Sequence, residues 1–330
     1  AHGCRPGSVS MPVPRCRLGT PWWEHDAYEA SQTQKNQVGL GWYAVYLLVF
    51  AAGALVSLFA FPTPCNDTLA SFDAVDSLPS MILFAYRVGA FSLIAYTLIT
   101  RCFVEVEVRM ETLARREIVA ISHGLWRFQG LTQWQFALIG IYFGAAASIQ
   151  YCLITEMPQV HAPSGLACAA STLLGVALSL ALLTTVIVTF VLIPSKMKQG
   201  HSVDSFFQRG DLIMHNLNSL LLLVDLLASR TRIHLTDLPY TVLVGCIYVT
   251  FHHYIRFPRT RTLLYFFLSW QHPRAPFILI TLLAAIGAFN ALGVAVSEVL
   301  RPQPFGPPLV LLGCFAIMRL REPAVAKAKP

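Results

Sequence analysis

Four polar side chains within apolar stretches of the sequence could support nucleophilic catalysis. Thr132 opens one such stretch, and His215 lies three residues into another. A threonine hydroxyl becomes a nucleophile when a base such as an imidazole takes its proton. Asn218 and Ser219 follow His215 by three and four residues, so on a helix they share its face and could orient the imidazole or hold an oxyanion. Structural uses compete with this hypothesis, because a threonine at a helix start is commonly an N-cap.

Arg87 and Asp225 are charged side chains that fall inside apolar stretches. Ionisable groups are costly at membrane depth and therefore mark sites or ion pairs. At about 1.5 Å per residue, Arg87 lies roughly 12 Å and Asp225 roughly 6 Å from the same face of the membrane. The long arginine stem predicts a candidate intramembrane ion pair; otherwise Asp225 would bond Tyr240 or Thr241. Asp225 is roughly 15 Å along the axis from His215, which excludes a Ser-His-Asp type of triad.

The sequence predicts neither a metal site nor a cofactor. His252 and His253 are helical neighbours whose side chains point about 100° apart, so they cannot both line one site. The eight cysteines form no CxxC pair and no Cys/His metal spacing, which favours small buried side chains. A bridge between Cys152 and Cys168 remains open. Residues 66–68 form a glycosylation sequon.

The composition is typical of a membrane protein. Of 330 residues, 55% are hydrophobic and 12% are charged, whereas an ordinary soluble domain has roughly a quarter charged residues. This excludes a soluble nucleic-acid binder, a disordered chain and a coiled coil. The net charge of +7 comes from short Lys and Arg clusters between long apolar runs, so membrane lipids rather than nucleic acid are the expected partners.

The apolar runs predict an all-α, polytopic bundle of transmembrane helices. Crossing a bilayer takes about 20 apolar residues, and long unalternating runs rich in Leu and Ala argue against strands. Six runs are long enough, namely 40–61, 79–100, 132–154, 166–193, 237–255 and 277–300. A seventh at 212–229 is more polar. An eighth at 308–318 is short and could span, re-enter or lie at the interface.

Alternate loops differ in positive charge, which predicts the orientation. Lys and Arg concentrate in the arm before the first span and in the loops at 101–131, 194–211 and 256–276. These loops share one side, so the positive-inside rule places the N-terminus inside. Residues 1–23 contain Arg and Ser and no acid, which fits either an organelle-targeting region or a basic arm on the inner face.

Several segments resemble the Rolling stone family, which belongs with the androgen-induced proteins of vertebrates. Residues 130–143 resemble the family's "L-T-N-W-x-F" helix start, and residues 215–227 its "H-x-x-N-S … D-L-L" segment. Residues 248–254 and 268–270 resemble its continuation. The resemblance covers residues 79–300 and implies a six-span core.

The resemblance also implies a chemistry. Vertebrate members are intramembrane threonine hydrolases of fatty-acid esters of hydroxy fatty acids, with one essential Thr and one essential His. By the motifs these correspond to Thr132 and His215. The implied mechanism is covalent: His215 takes the Thr132 proton, the alkoxide attacks the ester, and water releases the acyl group. The two side chains should then lie within one hydrogen bond or one water of each other.

The rest of the chain has no counterpart in the six-span core. We divide it into a basic arm at 1–39, an extra span and loop at 40–78, the family-like core at 79–300, and a short apolar segment with a basic tail at 301–330. Added ends are typical of a subunit of a larger assembly.

Two functions follow from these observations. The first is a membrane-embedded hydrolase of lipid esters, which the family resemblance places in the endomembranes or plasma membrane. The alternative is a non-catalytic accessory subunit of a membrane complex, such as one in an organellar (mitochondrial) inner membrane, that contacts other subunits through residues 1–61.

Overall fold

A computed structural model describes most of the chain. The described residues are 15–17, 37–60, 69–75, 78–112, 117–122, 124–155, 164–198, 202–260, 262–269 and 274–321. Most of the basic arm, the sequon at 66–68 and the tail at 322–330 lie outside the described residues.

The described chain is mainly helical, and each of the apolar runs in the sequence forms a helix. The helices are α1 (Gln37–Ala60), α2 (Ser80–Phe103), α3 (Leu131–Ile154), α4 (Gly165–Lys198), α5 (Arg209–Ala228), α6 (Leu238–Thr250, continuing to Thr260), α7 (Ala275–Leu300) and α8 (Gly306–Ile317). Among the described residues, α2, α3, α4, α5 and α7 are long and apolar enough to cross a membrane. The fold is therefore an all-α bundle of the kind found in multi-pass integral membrane proteins.

Hydrogen bonds show that the helices α2 to α5 run in alternating directions. Arg87, in the first third of α2, bonds Gln150 and Asp225 near the last turns of α3 and α5. Thr185, in the later part of α4, bonds the carbonyl of His215 near the start of α5.

We call the end that carries residues 104–130 the inner end, after the orientation predicted from charge. The opposite end, which carries residues 69–78, is the outer end.

Four of the helices contain a π-turn, in which each N–H bonds a carbonyl five residues earlier. The π-turns span Val188–Leu192 in α4, Ile213–Leu217 in α5, Phe251–Arg256 in α6 and Val296–Leu300 in α7. A π-turn widens the helix and is often found at functional sites. His215 and the pair His252 and His253 lie in two of these turns.

The segment at 101–131, which the sequence presents as a charged loop, contains a β-hairpin. Strand β2 (Val106–Thr112) pairs antiparallel with β3 (Glu117–Ser122). Strand β1 (Arg15–Arg17) adds in parallel to β3, and β4 (Thr262–Leu263) adds antiparallel to β2. The sheet has the order β1-β3-β2-β4 and joins parts of the chain that are distant in sequence.

The described residues form one large apolar core and smaller ones. The large core lies between α2, α3, α4 and α5 and includes Phe136, Phe143 and Leu222, all fully buried. One smaller core joins α1 to α6 and α7 through Leu47, Cys246 and Leu279. The first helix is therefore packed against the rest of the bundle, and its outer face carries exposed side chains such as Leu48 and Phe59.

Candidate functional site

Thr132 is buried at the start of α3 and does not cap the helix. Gly130 is the N-cap, with φ −86° and ψ 149°, and it has no side chain to bond the first N–H groups. Thr132 is the second helical residue and only 4% of it is exposed. The N-cap role that its position suggests in the sequence is therefore not the role it has.

The hydroxyl of Thr132 bonds with the phenol of Tyr265. The Tyr265 oxygen also accepts hydrogen bonds from the backbone N–H groups of Leu131 and Thr132. It thereby satisfies donors that the glycine N-cap leaves free. Burial raises the pKa of Tyr265, and these hydrogen bonds offset only part of that effect. The phenol is therefore neutral at physiological pH and can donate a hydrogen bond, but it is a poor base.

Tyr248 on α6 extends this group of hydroxyls. Its side chain bonds with that of Tyr265, and its hydroxyl donates to the backbone carbonyl of Gln129 at 3.1 Å. The ring packs edge-on against Trp134 at 5.5 Å between centroids. Tyr248 thus holds Tyr265 and the start of α3 in one arrangement.

Thr132, Tyr248 and Tyr265 line a cavity of about 90 Å³. The cavity lies between α1, α3, α4, α6 and α7. Thr184 and Cys246 line it as well, and the surface that the lining residues present to the cavity is almost entirely apolar. The apolar lining includes Leu47, Phe50, Leu180, Leu183, Ile187, Val242, Val249, Leu268, Leu279 and Ile286. Such an apolar space suits a hydrocarbon chain.

His215 lies at the inner end of α5. Its Nε2 is 3.7 Å from Asp211 Oδ1, and its ring packs near Phe206. Its Nδ1 is buried without a hydrogen-bond partner. No hydrogen bond among the described residues joins it to Thr132, and it does not line the cavity. The Thr132 hydroxyl bonds Tyr265, and His215 contacts Asp211. That Thr132 and His215 lie within one hydrogen bond or one water of each other stays a prediction.

Asn218 and Ser219 bond with Thr185 of α4 and do not orient the imidazole. Thr185 donates to the backbone carbonyl of His215 at 2.7 Å and lies 2.8 Å from the Ser219 hydroxyl. Asn218 Oδ1 accepts from the Ser219 N–H at 2.7 Å, and its Nδ2 donates to Gln135 at 3.3 Å. These contacts stabilise the π-turn, because Thr185 bonds a carbonyl within it.

Arg87 and Asp225 form a fully buried ion pair near the outer end. Arg87 Nε lies 2.8 Å from Asp225 Oδ1, and Nη2 lies 3.2 Å from Oδ2. Arg87 Nη1 donates to the carbonyl of Phe72 at 2.7 Å and to Gln150 at 2.8 Å. Tyr142 donates to the second carboxylate oxygen of Asp225. Each guanidinium nitrogen of Arg87 and each carboxylate oxygen of Asp225 therefore has a hydrogen-bond partner. Two opposite charges can be buried without a large desolvation penalty only when they are paired in this way.

The remaining candidates do not form a metal site. His253 bonds the carbonyls of Val249 and Leu268, each at 2.9 Å, and His252 Nε2 accepts from the N–H of Leu264 at 3.4 Å. Within the described stretches, no cluster of three or more His, Cys, Asp or Glu could hold a metal ion. Cys152 and Cys168 are not joined by a disulfide.

No protein-family model, curated protein or solved structure matches this chain. The function of the site is therefore interpreted from the geometry of its residues. That geometry includes three residues that the sequence did not single out, namely Tyr265, Tyr248 and Thr185. Tyr265 lies in a short segment between two helices, where no local pattern indicates that it bonds a helix start far away in sequence.

Proposed function

We propose that this chain is a multi-pass membrane protein that binds an acyl chain of a membrane lipid in the Thr132 cavity. The single observation that carries the proposal is a cavity between five helices whose surface is almost entirely apolar, with Thr132, Tyr248 and Tyr265 among its lining residues. Apolar walls favour methylene groups over polar ligands. An acyl chain satisfies this condition.

The size of the cavity limits what it holds. A cavity of about 150 Å³ lined by Leu, Ile and Phe accommodates one benzene molecule. A volume of about 90 Å³ therefore suits a short part of one chain. The rest of the lipid would lie in the bilayer beside the bundle.

Hydrolysis of the bound ester is the second candidate function. Two things favour it, namely the position of Thr132 in the cavity wall and the resemblance to the Rolling stone family. In that scheme Thr132 is the nucleophile and His215 the base, and the substrate is a fatty-acid ester of a hydroxy fatty acid. We rank lipid binding above hydrolysis for two reasons. The neutral phenol of Tyr265 is a poor base for the Thr132 hydroxyl, and His215 contacts Asp211. Catalysis by Thr132 would require its hydroxyl to release Tyr265.

The proposal also covers the orientation of the chain in the membrane and the identity of that membrane. Clustered Lys and Arg in the loops of the inner end favour an N-terminus on the cytoplasmic, stromal or matrix side. The family resemblance favours endomembranes or the plasma membrane, and the basic arm favours an organellar inner membrane. An accessory role would use residues 1–61, where α1 presents Val45, Leu48 and Phe59 outward.

Bound lipid can be measured directly on the purified protein. We would extract lipids from protein purified in a mild detergent and quantify them by mass spectrometry. Val249→Trp would fill the cavity, whereas Ile247→Trp on the same helix is a matched control at an exposed position. The proposal predicts that Val249→Trp loses the lipid and Ile247→Trp retains it. Equal lipid content in both variants would contradict it.

The same preparations separate binding from hydrolysis. Wild-type protein is incubated with a fatty-acid ester of a hydroxy fatty acid, alongside Thr132→Ala, Thr132→Ser and His215→Ala. A hydrolase loses cleavage in Thr132→Ala and in His215→Ala, whereas a binding protein shows none in any variant. An accessory subunit would instead copurify with other proteins and lose them when residues 1–61 are deleted.

A further inference from the structure

A second polar site lies at the inner end of the bundle, away from the cavity. Arg101 is in the last turn of α2 and Asp211 in the first turn of α5, and Arg101 Nη2 lies 2.7 Å from Asp211 Oδ1. Their side chains are 13% and 20% exposed. Neither residue lines the Thr132 cavity. Because both lie at the ends of membrane-spanning helices, the pair is at the depth of the lipid headgroups.

Arg127 is a second arginine at this end of the bundle. It lies in the turn Gly124–Gln129, which packs against α2 and leads into α3, and its Nη1 is buried without a hydrogen-bond partner. Burial lowers the pKa of Arg127, and the nearby Arg101 lowers it further, while Asp211 offsets part of this effect. A buried guanidinium N–H with no acceptor costs free energy that an anion would recover.

Arg101, Arg127 and Asp211 together carry one positive charge in excess, since two guanidinium groups accompany one carboxylate. His215 Nε2 lies 3.7 Å from the carboxylate oxygen that Arg101 contacts, and the buried Nδ1 of His215 has no hydrogen-bond partner. Gly210 lets Arg101 approach α5 closely, because a Cβ at Gly210 would lie 3.0 Å from Arg101 Nε. The backbone and the charges therefore hold Arg101 beside Asp211, with Arg127 still able to bind an acceptor.

We propose that Arg101 and Arg127 bind the phosphate group of an anionic membrane lipid at the inner end of the bundle. A phosphate oxygen would accept the unpaired N–H of Arg127 and balance the excess charge. Guanidinium groups match phosphate because they donate two parallel hydrogen bonds. Lipid phosphates lie at this depth, whereas a free phosphate ion would have to come from the aqueous side. The site stands independently of the Thr132 cavity.

The test compares two sources of phosphate. Protein is reconstituted in nanodiscs of phosphatidylcholine alone, of phosphatidylcholine with phosphatidic acid, and of phosphatidylcholine with an equal charge of a fatty acid. A further sample in detergent receives inorganic phosphate. Thermal unfolding is followed in wild type, in Arg127→Gln and in Arg209→Gln, which removes the same charge from an exposed position of the same end.

We expect phosphatidic acid to raise the unfolding temperature of wild type and of Arg209→Gln. In Arg127→Gln the apparent affinity for phosphatidic acid should fall about tenfold, as expected for losing a hydrogen bond to a charged group. Stabilisation by inorganic phosphate with the same dependence on Arg127 would support the phosphate site and identify free phosphate as its ligand. Equal stabilisation by the fatty acid, equal stabilisation of Arg127→Gln, or no stabilisation of wild type would overturn the proposal.

Arg127→Lys allows the proposal to be tested even if Arg127→Gln fails to fold. It keeps the charge but presents a single ammonium group, so it should bind phosphatidic acid more weakly than wild type and more tightly than Arg127→Gln. If Arg127→Gln does not fold, Arg127→Lys is compared directly with wild type. Unchanged affinity in Arg127→Lys would then contradict a bidentate phosphate contact.

Discussion

Arg87 and Asp225 lie on different helices, 138 residues apart, and their Nε and Oδ1 atoms are 2.8 Å apart in the interior of the bundle. The pair links α2 to α5, and Tyr142 and Gln150 link it to α3. Both side chains are fully buried. The pair therefore fixes the relative position of three helices near the outer end.

Removing one partner of this pair should destabilise the protein strongly. Arg87→Met leaves the carboxylate of Asp225 buried without its charge partner, which costs about 3–5 kcal/mol. The double variant Arg87→Met with Asp225→Leu should recover much of that loss, since no charge is then left unpaired. The measurement is thermal or denaturant unfolding in detergent. A loss below about 1 kcal/mol in Arg87→Met would mean that the pair contributes little.

The neighbouring residues Leu47 and Leu48 test whether α1 belongs to the core. Leu47 is 6% exposed and lines the cavity, whereas Leu48 is 69% exposed. Leu47→Ala should lower the free energy of unfolding by about 2–4 kcal/mol, and Leu48→Ala should change it by less than about 0.5 kcal/mol. Unfolding of the two variants under identical conditions gives the comparison. Equal stability of the two variants would mean that α1 does not pack into the core of the bundle.

Tyr265→Phe tests the bond that holds Thr132. It removes the phenol oxygen that bonds Thr132 and accepts two backbone N–H groups at the start of α3. The loss should be about 1–3 kcal/mol, because these donors stay buried without an acceptor. Tyr240→Phe, at a residue that is 37% exposed, is the control and should be near neutral. Similar stability of the two variants would show that Tyr265 does not support the helix start.

The sequence predicted the helices and the depth of their polar groups because both depend on position along an axis. Counting residues placed Arg87 and Asp225 at depths where they could meet, and the structure has them in contact. The same counting placed Thr132 and His215 near one face of the membrane. Depth alone does not determine the rotation of a helix, and in the structure the Thr132 hydroxyl bonds Tyr265.

Two features of the structure could not be predicted from short sequence patterns. The π-turn at Ile213–Leu217 inserts an extra residue, which rotates the residues after it by roughly 100° relative to a regular helix. Residues spaced for one face, such as His215 and Ser219, therefore need not share it. The β2–β3 hairpin has the alternation Val-Glu-Val-Arg in its sequence, but its charged residues made it resemble a loop.

Cysteine labelling tests the predicted orientation. Leu125 lies between α2 and α3 and is 85% exposed, and Leu235 lies between α5 and α6 and is 59% exposed. In sealed vesicles of known sidedness, Leu125→Cys should react with an impermeant reagent from the inner side and Leu235→Cys from the outer side. Wild-type labelling gives the background from native cysteines. Reaction of both positions from one side would contradict the topology.

The most direct test of the proposed function is photo-crosslinking with an ester lipid that carries a diazirine on its acyl chain. After irradiation in nanodiscs, the modified residues are mapped by mass spectrometry. We expect modification of cavity residues such as Leu183 and Val249, and loss of that modification in Val249→Trp but not in Ile247→Trp. Modification confined to outward residues such as Leu48 and Ile247, unchanged in Val249→Trp, would contradict it.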